Sequence, residues 1–166
     1  MEQLGAPPNW QVISLGRGCE RHGIVQHETL HALGVAHEMS RSDRDDFIKI
    51  NLENVKSNFV SAFMKIPERF WIDSGHPFEI DSIMMYGEKF FHKNGRKTIE
   101  MLTDTEGKGY EKQWERVTTT DALQLQWDYC RDRPGFEFKP TLKPSMKQFN
   151  LSSELLHFFF VSHLNI

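Results

Sequence analysis

The chain has 166 residues, a length that fits one domain with or without a tail. Hydrophobic residues make up 39% and charged residues 26%, the balance of an ordinary folded protein, which excludes disorder of the whole chain. A net charge of -3 gives no basic excess for nucleic acid or an anionic membrane surface, and no run of about 20 apolar residues spans a bilayer.

Residues 1–9 read as an irregular lead-in with Pro7 and Pro8 together, without the basic and apolar regions of a secretory signal. Residues 10–15 predict a short strand that ends at the Gly16-Arg17-Gly18 turn. Residues 21–36 predict a helix. The charged residues Arg41, Asp43, Arg44, Asp45 and Asp46 predict a solvated loop leading into a short extended piece at Phe47–Ile50. Leu52, Val55, Phe59 and Phe63 recur at helical spacing, so a helix is expected over 52–65. Residues 67–116, punctuated by Gly and Pro, predict mostly loop. Thr118-Thr119-Thr120-Asp121 then forms an N-cap region, and Ala122, Leu125 and Tyr129 give one apolar face to a helix over 118–130.

After Cys130 the composition shifts. Pro134, Pro140, Pro144 and several lysines over 131–148 read as an extended linker. Residues 151–166 carry an apolar patch too short to span a membrane, for which a hydrophobic tail, an interfacial anchor and an artefact of where the reading frame stops are all open readings. There are no internal repeats. The two cysteines, Cys19 and Cys130, are too few for a disulfide scaffold and too far apart for a zinc knuckle. Two buried thiols and a mutual bridge are both open readings.

The informative stretch is His27-Glu28-Thr29-Leu30-His31-Ala32-Leu33-Gly34-Val35-Ala36-His37-Glu38. A helix stacks His27 and His31 on one face, where two imidazoles can share one zinc ion. Glu28 follows the first histidine and lies beside the metal without pointing at it, where it can take a proton from activated water. A continuing helix would carry His37 away. Gly34 sits where a reversal is needed, and glycine adopts positive φ without steric cost. The turn then returns His37 as a third ligand, and three protein ligands leave one position open, the catalytic arrangement of zinc. With the composition of this chain, such a pattern is expected by chance about once in 10,000 sequences. His22, His76, His92, His157 and His163 show no ligand spacing.

HExxHxxGxxH is the metzincin zinc signature. With Glu38 after the third histidine and Ser82-Ile83-Met84-Met85-Tyr86, the chain resembles the astacin family of zinc endopeptidases. Further similar segments are Gly18-Cys19, Arg41-Ser42-Asp43-Arg44-Asp45, Ile50-Asn51-Leu52-Glu53-Asn54-Val55 and Asp121 through Cys130. The resemblance covers roughly residues 10–130. It implies an α+β fold, a metzincin (zincin-like) catalytic domain made mainly of the active-site helix and the C-terminal lobe. The N-terminal sheet lobe of the family pattern is largely missing, as in an N-terminally truncated member. Residues 1–130 are then a partial peptidase domain and 131–166 a linker and apolar tail.

The resemblance implies one Zn2+ per chain, held by His27, His31 and His37, with Tyr86 as an extra ligand that swings away to stabilise the transition state. Glu28 is the implied general base and Met84 the hydrophobic floor of the Met-turn. Met85 departs from the histidine that many members carry there, with little effect on the metal expected. Family disulfides would join Cys19 and Cys130 to partners in the part not represented, and Glu38 would meet the freed N-terminus of a mature enzyme. The implied function is zinc-dependent hydrolysis of peptide bonds in proteins, by a secreted enzyme acting on protein or peptide substrates. The net charge and the lack of a spanning apolar run argue separately against a nucleic-acid partner and against a membrane role. An inactive zinc-binding fragment of such a protease is the alternative. Retention of Glu28 favours the enzyme, because a structural zinc site has no use for a general base.

Overall fold

A computed structural model of the chain describes residues 12–71, 74–103, 109–110 and 115–134. Among these residues two α-helices and a small sheet carry the regular structure: α1 (His22–Ala32), β1 (Ile48–Ile50), β2 (Ile99–Met101) and α2 (Thr119–Cys130). β1 and β2 pair antiparallel with Lys49 opposite Glu100. Short 3-10 helices at Leu52–Asn54, Ser57–Phe63 and Glu68–Phe70 lie between them, and an isolated bridge joins Val55 to His92. This agrees with a partial metzincin domain of α+β class, poor in regular structure among the described residues of 67–116.

α1 buries Gly23, Ile24, His27, Leu30 and His31, which share one helix face. It ends at Ala32, four residues before the expected Ala36, and the reason is Gly34 at φ 92°. The Gly34 amide donates to the His31 carbonyl and the Val35 amide to the Leu30 carbonyl, both at 2.9 Å. These two bonds form a Schellman motif, which stops a helix by satisfying its last carbonyls. Leu30 and Val35 also pack together, the apolar contact that accompanies this motif.

Among the described residues the interior has two apolar clusters. Leu30, Val35, Ile83 and Met84 form the smaller one, beneath α1. Met39, Ile48, Val55, Phe63, Met85, Tyr86 and Ile99 form the larger one around the sheet. Successive residues of the Ser82–Tyr86 segment therefore enter different clusters, and this segment ties the two together. Phe91 has φ 56°, a left-handed conformation that is costly for an aromatic residue. Its ring stacks on Phe59 with centroids 4.2 Å apart.

Several expectations are corrected. Residues 12–15 form no strand and are exposed, and residues 10–11 lie outside the described residues. The 52–65 segment is two 3-10 pieces, Leu52–Asn54 and Ser57–Phe63, in place of one α-helix. The Asn54 side chain is bonded to the Lys97 carbonyl and the Lys56 amide to the Phe91 carbonyl, so tertiary bonds divert the chain from a helical ladder. Arg41 and Arg44 are buried within the loop expected to be solvated. On α2, Ala122 and Tyr129 are exposed and only Leu125 packs on the core. Cys19 and Cys130 are half-buried free thiols and are not bonded to each other. The linker and tail expectations over 135–166 fall outside the described residues.

Candidate metal centre

The imidazoles of His27, His31 and His37 converge, each offering a nitrogen within 4.8 Å of the others. His27 and His31 are buried and His37 half-buried. Nε2 of His31 lies 3.1 Å from Nε2 of His37. Two nitrogens about 2.0–2.1 Å from one shared ion would be separated by a comparable distance.

The other ring nitrogens fix the orientation. Nδ1 of His27 donates to the Ile83 carbonyl and Nδ1 of His31 to the Val35 carbonyl, both at 2.8 Å. A carbonyl oxygen only accepts, so both Nδ1 atoms carry the proton and both Nε2 atoms present a lone pair. Outer bonds of this kind orient metal-binding histidines and raise their basicity. The three histidines therefore fit one zinc ion.

The Ile83 carbonyl is itself held. Asp121, buried at the start of α2, accepts from the Ser82 hydroxyl at 2.6 Å and from the Ile83 amide at 3.2 Å. The Ser82 hydroxyl oxygen in turn accepts from the Met84 amide at 2.9 Å. The same Asp121 carboxylate accepts from the Thr118 amide, and the Thr118 hydroxyl accepts from the Asp121 amide, a reciprocal capping box. The cap of α2 and the seat of His27 thus share one carboxylate.

Met84 is buried in the smaller cluster with Leu30 of the histidine helix, and Met85 is fully buried in the larger one. The Tyr86 ring lies 4.5 Å, centroid to centroid, from that of His37. Burial raises the proton affinity of its phenol above the ordinary range, and the negative charge of Glu28 raises it further. Glu28 is half-buried on α1, close enough to Tyr86 for that charge to be felt.

Glu38 follows His37 and is buried. Its Oε1 accepts from Arg41 at 3.1 Å and from the Glu79 amide at 2.9 Å. Burial nevertheless raises its pKa from 4.5 to about 7, against the lowering effect of Arg41. Arg41 is shared with Asp43 through two bonds of 2.9 and 2.8 Å and also donates to the carbonyls of His76 and Pro77.

Sequence reasoning singled out the three histidines, Glu28, Met84 and Tyr86, and the structure gathers them. It also recognised Asp121 as part of a helix cap. The link from Asp121 to Ile83, and the Ile83 and Val35 carbonyls themselves, had no sequence signal. His76, read as ordinary, is buried, with Nδ1 2.5 Å from the Ser74 hydroxyl.

A tri-histidine metal site at a helix end, floored by a buried methionine turn, is the arrangement expected of a metzincin. Comparison with known proteins agrees. The model of the astacin peptidase family matches residues 1–130. Zinc metalloproteinase nas-6 of Caenorhabditis elegans is 46% identical over 100 residues, 60% of this chain and 29% of that protein. Low choriolytic enzyme of Oryzias latipes is 40% identical over 123 residues, 74% of this chain and 44% of that one. The solved structure of high choriolytic enzyme 1, a hatching enzyme zinc-protease of the same fish, superposes with a TM-score of 0.65 at 33% identity, covering 72% of this chain and 58% of that one. The chain belongs to the astacin family. It spans less than two thirds of the length of these relatives. Among the described residues no helix is long and apolar enough to cross a membrane.

Proposed function

We propose that the protein is a secreted zinc-dependent endopeptidase that hydrolyses peptide bonds in protein substrates. His27, His31 and His37 are its zinc ligands, Glu28 its general base, and Tyr86 both a further ligand and a transition-state donor. Residues 1–130 carry this activity and 131–166 are a linker and tail; the end of the family match at residue 130 supports that division. The observation that carries the reading is the convergence of three imidazoles with Glu28 and Tyr86 beside them.

A zinc ion held by His27, His31 and His37 would supply a Lewis acid for the scissile carbonyl and for the ionisation of water near pH 7. The chain supplies the proton traffic. Glu28, one residue past His27, accepts a proton from the attacking water and passes it to the leaving amine. The Tyr86 phenol, whose proton is held tightly by burial, donates to the oxygen on which negative charge develops. The Nδ1 bonds of His27 and His31 hold the imidazoles in one orientation throughout, so no reorganisation is needed during the reaction.

The test is cleavage of a mixed peptide library by the zinc-loaded chain, the chelator-treated chain and Glu28→Gln. Cleavage that is lost with chelator, and lost in Glu28→Gln while zinc stays bound, is the expected result. Undiminished cleavage by Glu28→Gln, or none by the zinc-loaded wild type, would contradict the reading.

A further inference from the structure

The Ser82–Tyr86 segment is fastened unequally at its two ends. Its start is tied by the Asp121 carboxylate on Ser82 and Ile83, and its middle by the Glu38 amide, which donates to the Met84 carbonyl at 3.0 Å. Around Tyr86 the packing is aromatic: Phe63, Phe90 and Phe91 lie with ring centroids 5.8, 5.4 and 5.5 Å away. Such contacts bury the ring but aim it only loosely, because apolar attraction is largely non-directional. The directional contact is a hydrogen bond of 2.8 Å from the Tyr110 hydroxyl to the Tyr86 carbonyl.

Tyr110 is well placed to act as a fixed donor. Its ring packs against the larger apolar cluster. The preceding Gly109 has φ 67°, and a Cβ there would collide with the Glu88 carboxylate and lie 2.7 Å from the Lys97 ammonium. Those two groups are paired at 2.8 Å. Residue 109 thus lies against an ion pair, with a left-handed backbone that glycine adopts at the least cost. The pair is rooted beside β2: the Glu88 carbonyl accepts from the Thr98 and Ile99 amides, and the Lys97 carbonyl from the Asn54 side chain.

We propose that Tyr110 is a positioning residue for Tyr86: its hydroxyl fixes the backbone from which the Tyr86 phenol reaches the histidine site. The inference rests on the role proposed above for Tyr86. Tyr110 touches neither the histidines nor the reacting atoms in this scheme; it acts through the Tyr86 carbonyl.

The chain has 3 tyrosines, and Tyr86, Tyr110 and Tyr129 labelled as fluorotyrosine give one fluorine resonance each, assigned by their Phe variants. In the zinc-loaded full chain, Tyr110→Phe is expected to shift or broaden the Tyr86 resonance and leave that of Tyr129 in place. Gly109→Ala, with Tyr110 intact, should disturb the Tyr86 resonance in the same way. Tyr129→Phe is the control, since it removes a similar bond of 2.8 Å to the Leu33 carbonyl and should leave Tyr86 unmoved.

In peptide cleavage, Tyr110→Phe should lower kcat about five-fold with KM within about two-fold, and should add no further loss in a Tyr86→Phe background. An unmoved Tyr86 resonance in Tyr110→Phe, or an equal loss of kcat in both backgrounds, overturns the proposal. Undiminished kcat in Tyr86→Phe itself overturns the role of Tyr86, and the mechanistic part of this inference with it. The fluorine spectrum still decides separately whether Tyr110 holds that residue.

Discussion

His31 and His37 face each other nitrogen to nitrogen across 3.1 Å, although the helix that carries His31 ends before His37 begins its return. The device that joins them is the turn at Gly34. It closes α1 with two amide bonds and points the Val35 carbonyl back at Nδ1 of His31. One turn therefore ends the helix, orients the second histidine and delivers the third.

Gly34→Ala tests that arrangement. A side chain at φ 92° strains the backbone by about 1–2 kcal/mol, or forces the turn to open. Urea denaturation should show a loss of that size, and competition with a chelator should show weaker zinc binding. Unchanged zinc affinity would mean that His37 does not depend on the turn.

Asp121 offers a second test, because it serves two structures at once. Asp121→Asn puts a donor amide where the carboxylate accepts from the Ser82 hydroxyl and the Ile83 and Thr118 amides. Stability should fall by about 1–3 kcal/mol, and zinc affinity by about ten-fold or more as the Ile83 carbonyl loses its hold on His27. Thr118→Ala removes the helix cap and the bond from its hydroxyl to the Glu79 carboxylate but leaves the Asp121–Ile83 bond intact, costs about 1 kcal/mol and should leave zinc affinity in place. Equal loss of zinc affinity in both variants would contradict the Asp121–Ile83–His27 linkage.

Glu38 makes stability depend on pH. Its pKa in the folded chain is about 7 against an ordinary 4.5, because burial outweighs an Arg41 already engaged by Asp43. The folded chain keeps a proton through that interval that the unfolded chain has lost. This contribution to stability is therefore present below about 4.5 and is lost as pH rises through about 7. In the metal-free chain, wild type should lose up to a few kcal/mol relative to Glu38→Gln over that rise. A difference that does not change with pH would show that Glu38 ionises normally.

The part of the site that lies within one helical turn and one glycine turn was legible in the sequence, because fixed spacing on a helix dictates which side chains share a face. So was the capping box at Thr118 and Asp121, which has a local signature. What holds the histidines in place was not legible: the Ile83 and Val35 carbonyls have no side-chain identity, and Tyr110 reaches Tyr86 from a distant part of the chain. The burial of Arg41 and Arg44 escaped for a similar reason. A charge run reads as solvated unless carbonyl partners are supplied, and here His76, Pro77 and Phe63 supply them from distant parts of the chain and Met39 from nearby.

The most direct test of the central claim is calorimetric titration of the full chain with zinc, run beside His37→Ala. The account predicts one zinc ion bound per wild-type chain and an affinity loss of about 100-fold or more in the variant. Wild-type and variant curves that superimpose would show that the three histidines do not form one metal site.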